Sequence, residues 1–269
     1  MVKKMKVKPT VLKLGGSVIT DKNKPATANL KAIERLADEI CQAKVSSLIL
    51  VHGGGSFGHP IAKKYKLAEG YEKPAQMFGF SETHRAMTQL NGLVMEALLS
   101  HDVNAVVVAS SSCVVTKAGR IQSIELKPIK RMLDMGLVPV LYGDAVLDSQ
   151  KGFAILSGDQ LVSSLAINFG ASCIILGGDV DGLFTEDPKS NVSAELIRRV
   201  TLEELKSEKH KIEGSKATDV TGGMLGKMQE LIPALEHDIK TLVVNATKPL
   251  RVYKALKGQE VIGTIIEKG

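Results

Sequence analysis

Tryptophan is absent from the 269 residues, and Phe, Trp and Tyr together make up only 4%. Nucleic-acid surfaces normally combine clustered arginine with aromatic platforms, so the net charge of +6 does not point to a nucleic-acid partner. That charge is spread along the chain, apart from four lysines among the first eight residues. An anionic small molecule is the better match. Cysteine is scarce as well. Cys41, Cys113 and Cys173 lie far apart and form no C-x-x-C pair, which excludes an encoded disulfide framework or structural zinc site. No apolar run approaches the roughly 18 residues that span a bilayer, and the N-terminus MVKKMKVKPT has no apolar h-region. The expectation is a cytoplasmic chain without a membrane partner.

The hydrophobic fraction of 44% and charged fraction of 24% describe a chain able to bury a core. Its length exceeds the common single-domain size, yet α/β sheets covered on both faces reach about 250 residues as one unit. Strand-length apolar runs alternate with helix-period segments. The runs are Val11 to Leu14, SLILV (47–51), AVVVA (105–109), LVPVLY (137–142), CIIL (173–176), TLVVN (241–245) and VIGTII (261–266). Helices are expected over 30–41, 80–98, 158–169, about 222–237 and 250–257. This alternation predicts an α/β fold, an open αβα sandwich with a mainly parallel central sheet and ligands at the carboxyl ends of its strands. VVTKAGRIQS and AVLDSQKGFAIL read instead as β-hairpins beside that sheet, with turns at Ala118-Gly119 and at Gln150 to Gly152.

Four glycine clusters, KLGGS (13–17), HGGGSFGH (52–59), SGDQ (157–160) and TGGMLGK (221–227), are expected where strand runs end, with GGDVDG (177–182) as a fifth turn. Glycine lets backbone approach a ligand closely, and amides at helix N-termini bind phosphate, so the set describes a site for several phosphates. A Walker A loop is absent, because Thr221 stands where its first glycine belongs and Met228 follows Lys227. Gly53, Gly55 and Gly58 satisfy G-x-G-x-x-G, but no strand with a terminal carboxylate follows at the required distance, so a nicotinamide-binding reading is weak.

In this order, KLGGS, HGGGSFGH, SGDQ, DVDG with the downstream DPK, and DVTGGMLGK are similar to the amino acid kinase superfamily over nearly the whole chain. The terminal His59 of HGGGSFGH resembles the branch that phosphorylates isopentenyl phosphate. GGDVDG departs from the commoner TDVDG, and Pro233 is expected to kink the helix after Lys227. The resemblance implies a single domain, 1–269, with a phosphate-acceptor lobe at about 1–170 and a nucleotide-binding lobe at about 171–269. It also implies ATP and Mg²⁺ as co-substrate and ion, isopentenyl phosphate as acceptor, and a homodimer. Other acceptors of the superfamily (a carboxylate, a carbamate or UMP) and a noncatalytic phosphate-ligand sensor are the alternatives.

Phosphoryl transfer between two anions demands positive charge and amide donors. Lys13, at a strand end before Gly15 and Gly16, is placed to reach the cleft, and Leu14 to Ser17 are expected beside ATP. The resemblance gives Lys22 a role in stabilising the transition state; a solvated lysine is the competing reading. Thr221 suits an N-cap, which puts the amides of Gly222 and Gly223 and the Lys227 ammonium at a positive helix end. By resemblance these hold the β- and γ-phosphates, with Gly55 and Asp179 also at the nucleotide. Asp181 is assigned either to the nucleotide or to the turn. Ser157 and Gln160 form an S-x-x-Q capping box that starts a helix at Gly158. The resemblance has Asp159 orient Lys13 and Lys22 while Gly158 donates its amide to the acceptor. A phosphate monoester is largely a dianion at neutral pH, so no general base is needed. His59 is then a donor that aims the acceptor phosphate and offsets its charge, assisted by Gly54 and Gly55, unless it merely packs before Pro60. His52 reads as structural. Phe80, Thr83, Met87 and Leu90 form a stripe that is either core or, as the resemblance implies, the seat of the prenyl tail.

Overall fold

The computed structural model describes residues 7–186, 191–213 and 222–269. The expected DPK motif and the Thr221 cap lie outside the described residues. Strand β1 (Thr10–Leu14) leads through a short helix α1 (Gly16–Ile19) to α2 (Leu30–Ala43), which starts where the Asn29 side chain accepts the Ala32 amide and stops where Lys44 turns left-handed. Strand β2 (Leu48–His52) is followed by α3 (Gly55–Lys64) and the long α4 (Pro74–Ser100). Pro74 takes the first helical position, and the Gln76 side chain accepts the amides of Glu72 and Lys73. These two residues start the helix six residues before the expected 80. Strand β3 (Ala105–Val107), helix α5 (Ser110–Cys113), the hairpin β4 (Val114–Lys117) and β5 (Arg120–Ile124), helix α6 (Lys127–Asp134) and β6 (Val138–Tyr142) come next. A second hairpin, β7 (Asp144–Asp148) and β8 (Gly152–Leu156), feeds α7 (Gly158–Phe169) and β9 (Cys173–Gly178). The chain ends with β10 (Leu183–Phe184), β11 (Leu196–Ile197), β12 (Arg199–Thr201), α8 (Leu202–Glu213), α9 (Gly222–Glu236), β13 (Thr241–Asn245), α10 (Arg251–Leu256) and β14 (Gly263–Glu267).

Eight strands form the central sheet in the order β12-β14-β13-β9-β1-β2-β6-β3. Six run parallel, whereas β14 pairs antiparallel with β13, so the last expected strand reverses the pattern. Both faces of the sheet are covered, and that is why its strands read as unbroken apolar runs. Alternate residues serve opposite layers. Val11, Ile49, Leu141, Ile174 and Val243 pack with Leu161 and Leu165 of α7 and Leu231 and Leu235 of α9. Leu12, Leu50, Val140, Ile175 and Val244 pack with Leu36 and Ile40 of α2 and Leu90 and Val94 of α4. The two hairpins, each antiparallel as anticipated, join through a parallel pairing of β4 with β7 into a separate four-stranded sheet, β5-β4-β7-β8.

Register levels one rim. Leu14 pairs with His52 and Gly177, His52 with Tyr142, and Asn245 with Gly178, so five parallel strands end together. KLGGS, HGGG and GGDVDG leave the sheet there. SGDQ follows a strand of the small sheet instead, yet reaches the same rim, because the Gly143 amide donates to the His52 carbonyl (3.1 Å) just before β7 begins. For TGGMLGK the last described element upstream is a helix, α8, not a strand.

Candidate active site

The rim is built from main chain. The Gly15 amide donates to the Gly177 carbonyl (2.8 Å) and the Gly53 amide to the Leu14 carbonyl (3.0 Å), locking three adjacent loops together. Gly16 and Gly55 lie so close that a Cβ on Gly16 would stand 2.3 Å from the Gly55 nitrogen, and Gly55 itself has φ +47°. Only glycine satisfies both demands. Gly16→Ala is therefore expected to destabilise the fold by about 1–3 kcal/mol, the usual cost of overpacking, read as a lowered melting temperature.

A cleft of about 920 Å³ opens on this rim, lined by Lys13, Gly15, Gly16, Ser17, Lys22, Gly54, Gly55, His59, Thr83, Met87, Gly158, Asp159 and Lys227. Thirteen of the residues singled out from the sequence thus meet in one place. Lys13, only 7% exposed, extends from the penultimate position of β1 and pairs with Asp159 at 2.5 Å. Burial pulls the Lys13 ammonium below its ordinary value; Asp159 opposes the shift and Lys227 adds to it. Asp159 stands in the first turn of α7, whose cap is Ser157, its hydroxyl accepting the Gln160 amide at 3.1 Å. His59 sits on the exposed lip of α3. Partial desolvation, then Lys13 and Lys227, hold its imidazole below the usual histidine range. Lys13 and Lys227 line the same cleft as His59.

Four sequence expectations change. Lys22 pairs with Asp179 at 2.8 Å, and Ser17 donates to the same carboxylate at 2.9 Å, so Asp159 holds Lys13 alone. Asp179 borders a smaller neighbouring pocket with Ser17 and Lys22 and lies outside the main cleft lining. Phe80 turns from the cleft to the ring of Phe153, 5.6 Å away. Leu14 is buried in the core and meets the rim only through its carbonyl. Gly223 lies in the first turn of α9, on the helix that carries Lys227. Pro233 is accommodated within α9. His52 is structural, as read: fully buried, it donates from Nδ1 to the Gly53 carbonyl (3.1 Å) and stacks on Tyr142.

Several lining residues escaped the sequence reading, notably Lys63, Lys66 and Ile155. Lys63 lies four residues after His59 and so shares its helical face, a signal that needed α3 to be recognised. Thr83 and Met87 of α4 line the cleft, and the Met87 sulfur lies 2.9 and 2.8 Å from where Cβ atoms on Gly54 and Gly58 would stand. The glycine loop and the apolar wall are thus one packed unit. Among the described residues no group of three or more His, Cys, Asp or Glu could hold a metal ion. The Asp159 and Asp179 carboxylates at and beside the cleft face lysines. Nor, among the described residues, is any helix long and apolar enough to cross a membrane.

Comparison with known proteins agrees with this geometry. A profile described as the amino acid kinase family matches residues 8–245. The isopentenyl phosphate kinase of Methanothermobacter thermautotrophicus is 40% identical over 264 residues, covering 95% of this chain and 98% of the relative. That of Methanocaldococcus jannaschii is 39% identical, covering 96% and 98%. A solved structure described as isopentenyl phosphate kinase superposes with a TM-score of 0.84 at 38% identity, over 96% of this chain and 99% of the other. The chain belongs to the amino acid kinase family.

Proposed function

We propose that this chain transfers the γ-phosphoryl group of ATP to the phosphate of isopentenyl phosphate, giving isopentenyl diphosphate and ADP for isoprenoid synthesis. The observation that carries this reading is the convergence of His59, Lys13 and Lys227 on one glycine-walled cleft, close enough that both lysines depress the imidazole. The acceptor is already an anion, so the site has no proton to remove; its task is to hold two mutually repelling phosphates in line. His59 and the amides of Gly54 and Gly158 aim the acceptor phosphate, with Thr83 and Met87 seating its tail. Lys227 and the start of α9 hold the donor phosphates, joined by Gly15, Gly16 and Gly55, while Lys13 stands between donor and acceptor, fixed by Asp159. Lys22 and Asp179 lie at the nucleotide flank. In this reading residues about 1–170 seat the acceptor and about 171–269 the nucleotide.

Mg²⁺ is proposed to enter with the nucleotide as MgATP, held chiefly by the phosphates and water. A homodimer acting in the cytoplasm is proposed from the family resemblance. An ADP-release assay across alkyl phosphates, carboxylates, carbamate and UMP tests the assignment. Isopentenyl phosphate is expected to give the highest kcat/KM. Preference for a carboxylate, carbamate or UMP would replace this reading with another kinase of the family, and binding without ADP release would indicate a sensor.

A further inference from the structure

Hairpin β4–β5 lines no part of the cleft, yet it grips both helices that deliver charge to it. Its tip is a two-residue turn with Ala118 at φ 51° and Gly119 at φ 80°, the mirror-image geometry favoured in tight hairpins. Asp148 fixes this turn by accepting the amides of Ala118 (3.1 Å) and Gly119 (2.7 Å). On one side stands Gln160, directly after Asp159 on α7 and 7% exposed. The sequence reading assigned its side chain to a capping box. The structure sends it to the hairpin, where Oε1 accepts the Ile121 amide at 2.7 Å and Nε2 donates to the Gly119 carbonyl at 3.2 Å. On the other side the Arg120 guanidinium forks onto Glu230 of α9, with both nitrogens donating, at 2.6 and 2.7 Å. Glu230 stands three residues after Lys227, about one turn along the same helix.

A continuous set of contacts therefore runs from Lys13 through Asp159 and Gln160 to the hairpin tip, and from Arg120 through Glu230 to the helix bearing Lys227. Arg120, Gln160 and Glu230 are not among the cleft-lining residues. An exposed ion pair ordinarily adds little stability, but a planar fork on a carboxylate fixes distance and direction together. We infer that the β4–β5 hairpin registers Lys227 against the Lys13–Asp159 centre, with Arg120, Glu230 and Gln160 as positioning residues. This rests on the proposed role of Lys227 at the ATP phosphates.

Calorimetric titration with MgATP alone, with no acceptor present, tests the inference independently of which acceptor the enzyme uses. Arg120→Ala is expected to weaken ATP binding about fivefold and Arg120→Glu about tenfold. The reversed pair, Arg120→Glu with Glu230→Arg, is expected to restore affinity to within about twofold of the parent, because coupled partners are non-additive. In steady-state kinetics KM for ATP rises while KM for the acceptor stays unchanged, a split that general loosening of the fold would not produce. Unaltered ATP affinity in folded Arg120→Glu, no recovery in the reversed pair, or equal losses for both substrates would each overturn the inference. Should Arg120→Glu fail to fold, Arg120→Gln removes the charge alone and carries the same expectation at about threefold.

Discussion

Replacing His59 by alanine is expected to lower kcat/KM for isopentenyl phosphate about 100- to 1000-fold, the range for loss of one preorganised donor to a developing charge. ATP affinity should stay close to the parent value. The size of the effect follows from geometry. His59 stands one turn into α3, past the Gly54 and Gly55 amides, and shares the cleft with Thr83 and Met87. His59→Asn, which retains an N–H donor on a shorter arm, should recover part of the loss. Full turnover in His59→Ala would remove the basis for assigning a phosphate as acceptor.

Asp159→Asn should damage both stability and rate. Removing one partner of a buried pair costs about 3–5 kcal/mol, and at about 2–4 °C per kcal/mol in a chain of this size the melting temperature should fall by about 6–20 °C. Misplacing Lys13 at the reacting centre should cost about 100-fold in kcat. The pH dependence has a definite sign. Burial already lowers the Lys13 pKa and Asp159 works against that shift. Without the carboxylate, the ammonium loses its proton at lower pH, so the alkaline limb of the activity profile moves toward neutrality. Stability runs the other way. A lysine whose folded pKa lies below its unfolded value penalises the fold while charged in both states, and that penalty is relieved as pH rises from the folded value toward the unfolded one. The variant's deficit should therefore be largest at neutral pH and shrink in alkali. Parallel melting curves against pH and an unmoved alkaline limb would show that Lys13 and Asp159 are not coupled.

Where one physical signal dominated, the sequence was readable. TLVVN is a strand over the expected residues, Gly158 begins a helix behind its serine cap, and Ala118-Gly119 forms the tip of a hairpin. Helix α3 was missed because HGGGSFGHP offers no apolar periodicity and carries Pro60 inside it. The structure shows how the proline is tolerated: the Ser56 carbonyl, which Pro60 cannot satisfy, accepts the Ala26 amide at 3.0 Å from a distant loop. Such compensation is tertiary and leaves no local mark. The same holds for Lys22, whose partner Asp179 lies 157 residues away, and for Phe80, whose helical face was right but whose ring is claimed by Phe153. Charge pairing and aromatic stacking across the fold decide these cases, and neither has a period in the chain.

The contact of Gly16 with Gly55 separates two kinds of inheritance. In the proposed reading the main-chain part of the grip on phosphate is composed of peptide groups in close contact at Gly16 and Gly55, where few exchanges can survive, while Lys13, Lys227 and His59 supply charge and direction. The same reading makes the bed for the remainder of the acceptor from side chains on α4 and β8, open to replacement one at a time. A lineage built on this frame can thus change its alcohol while its hold on the anion stays as it was.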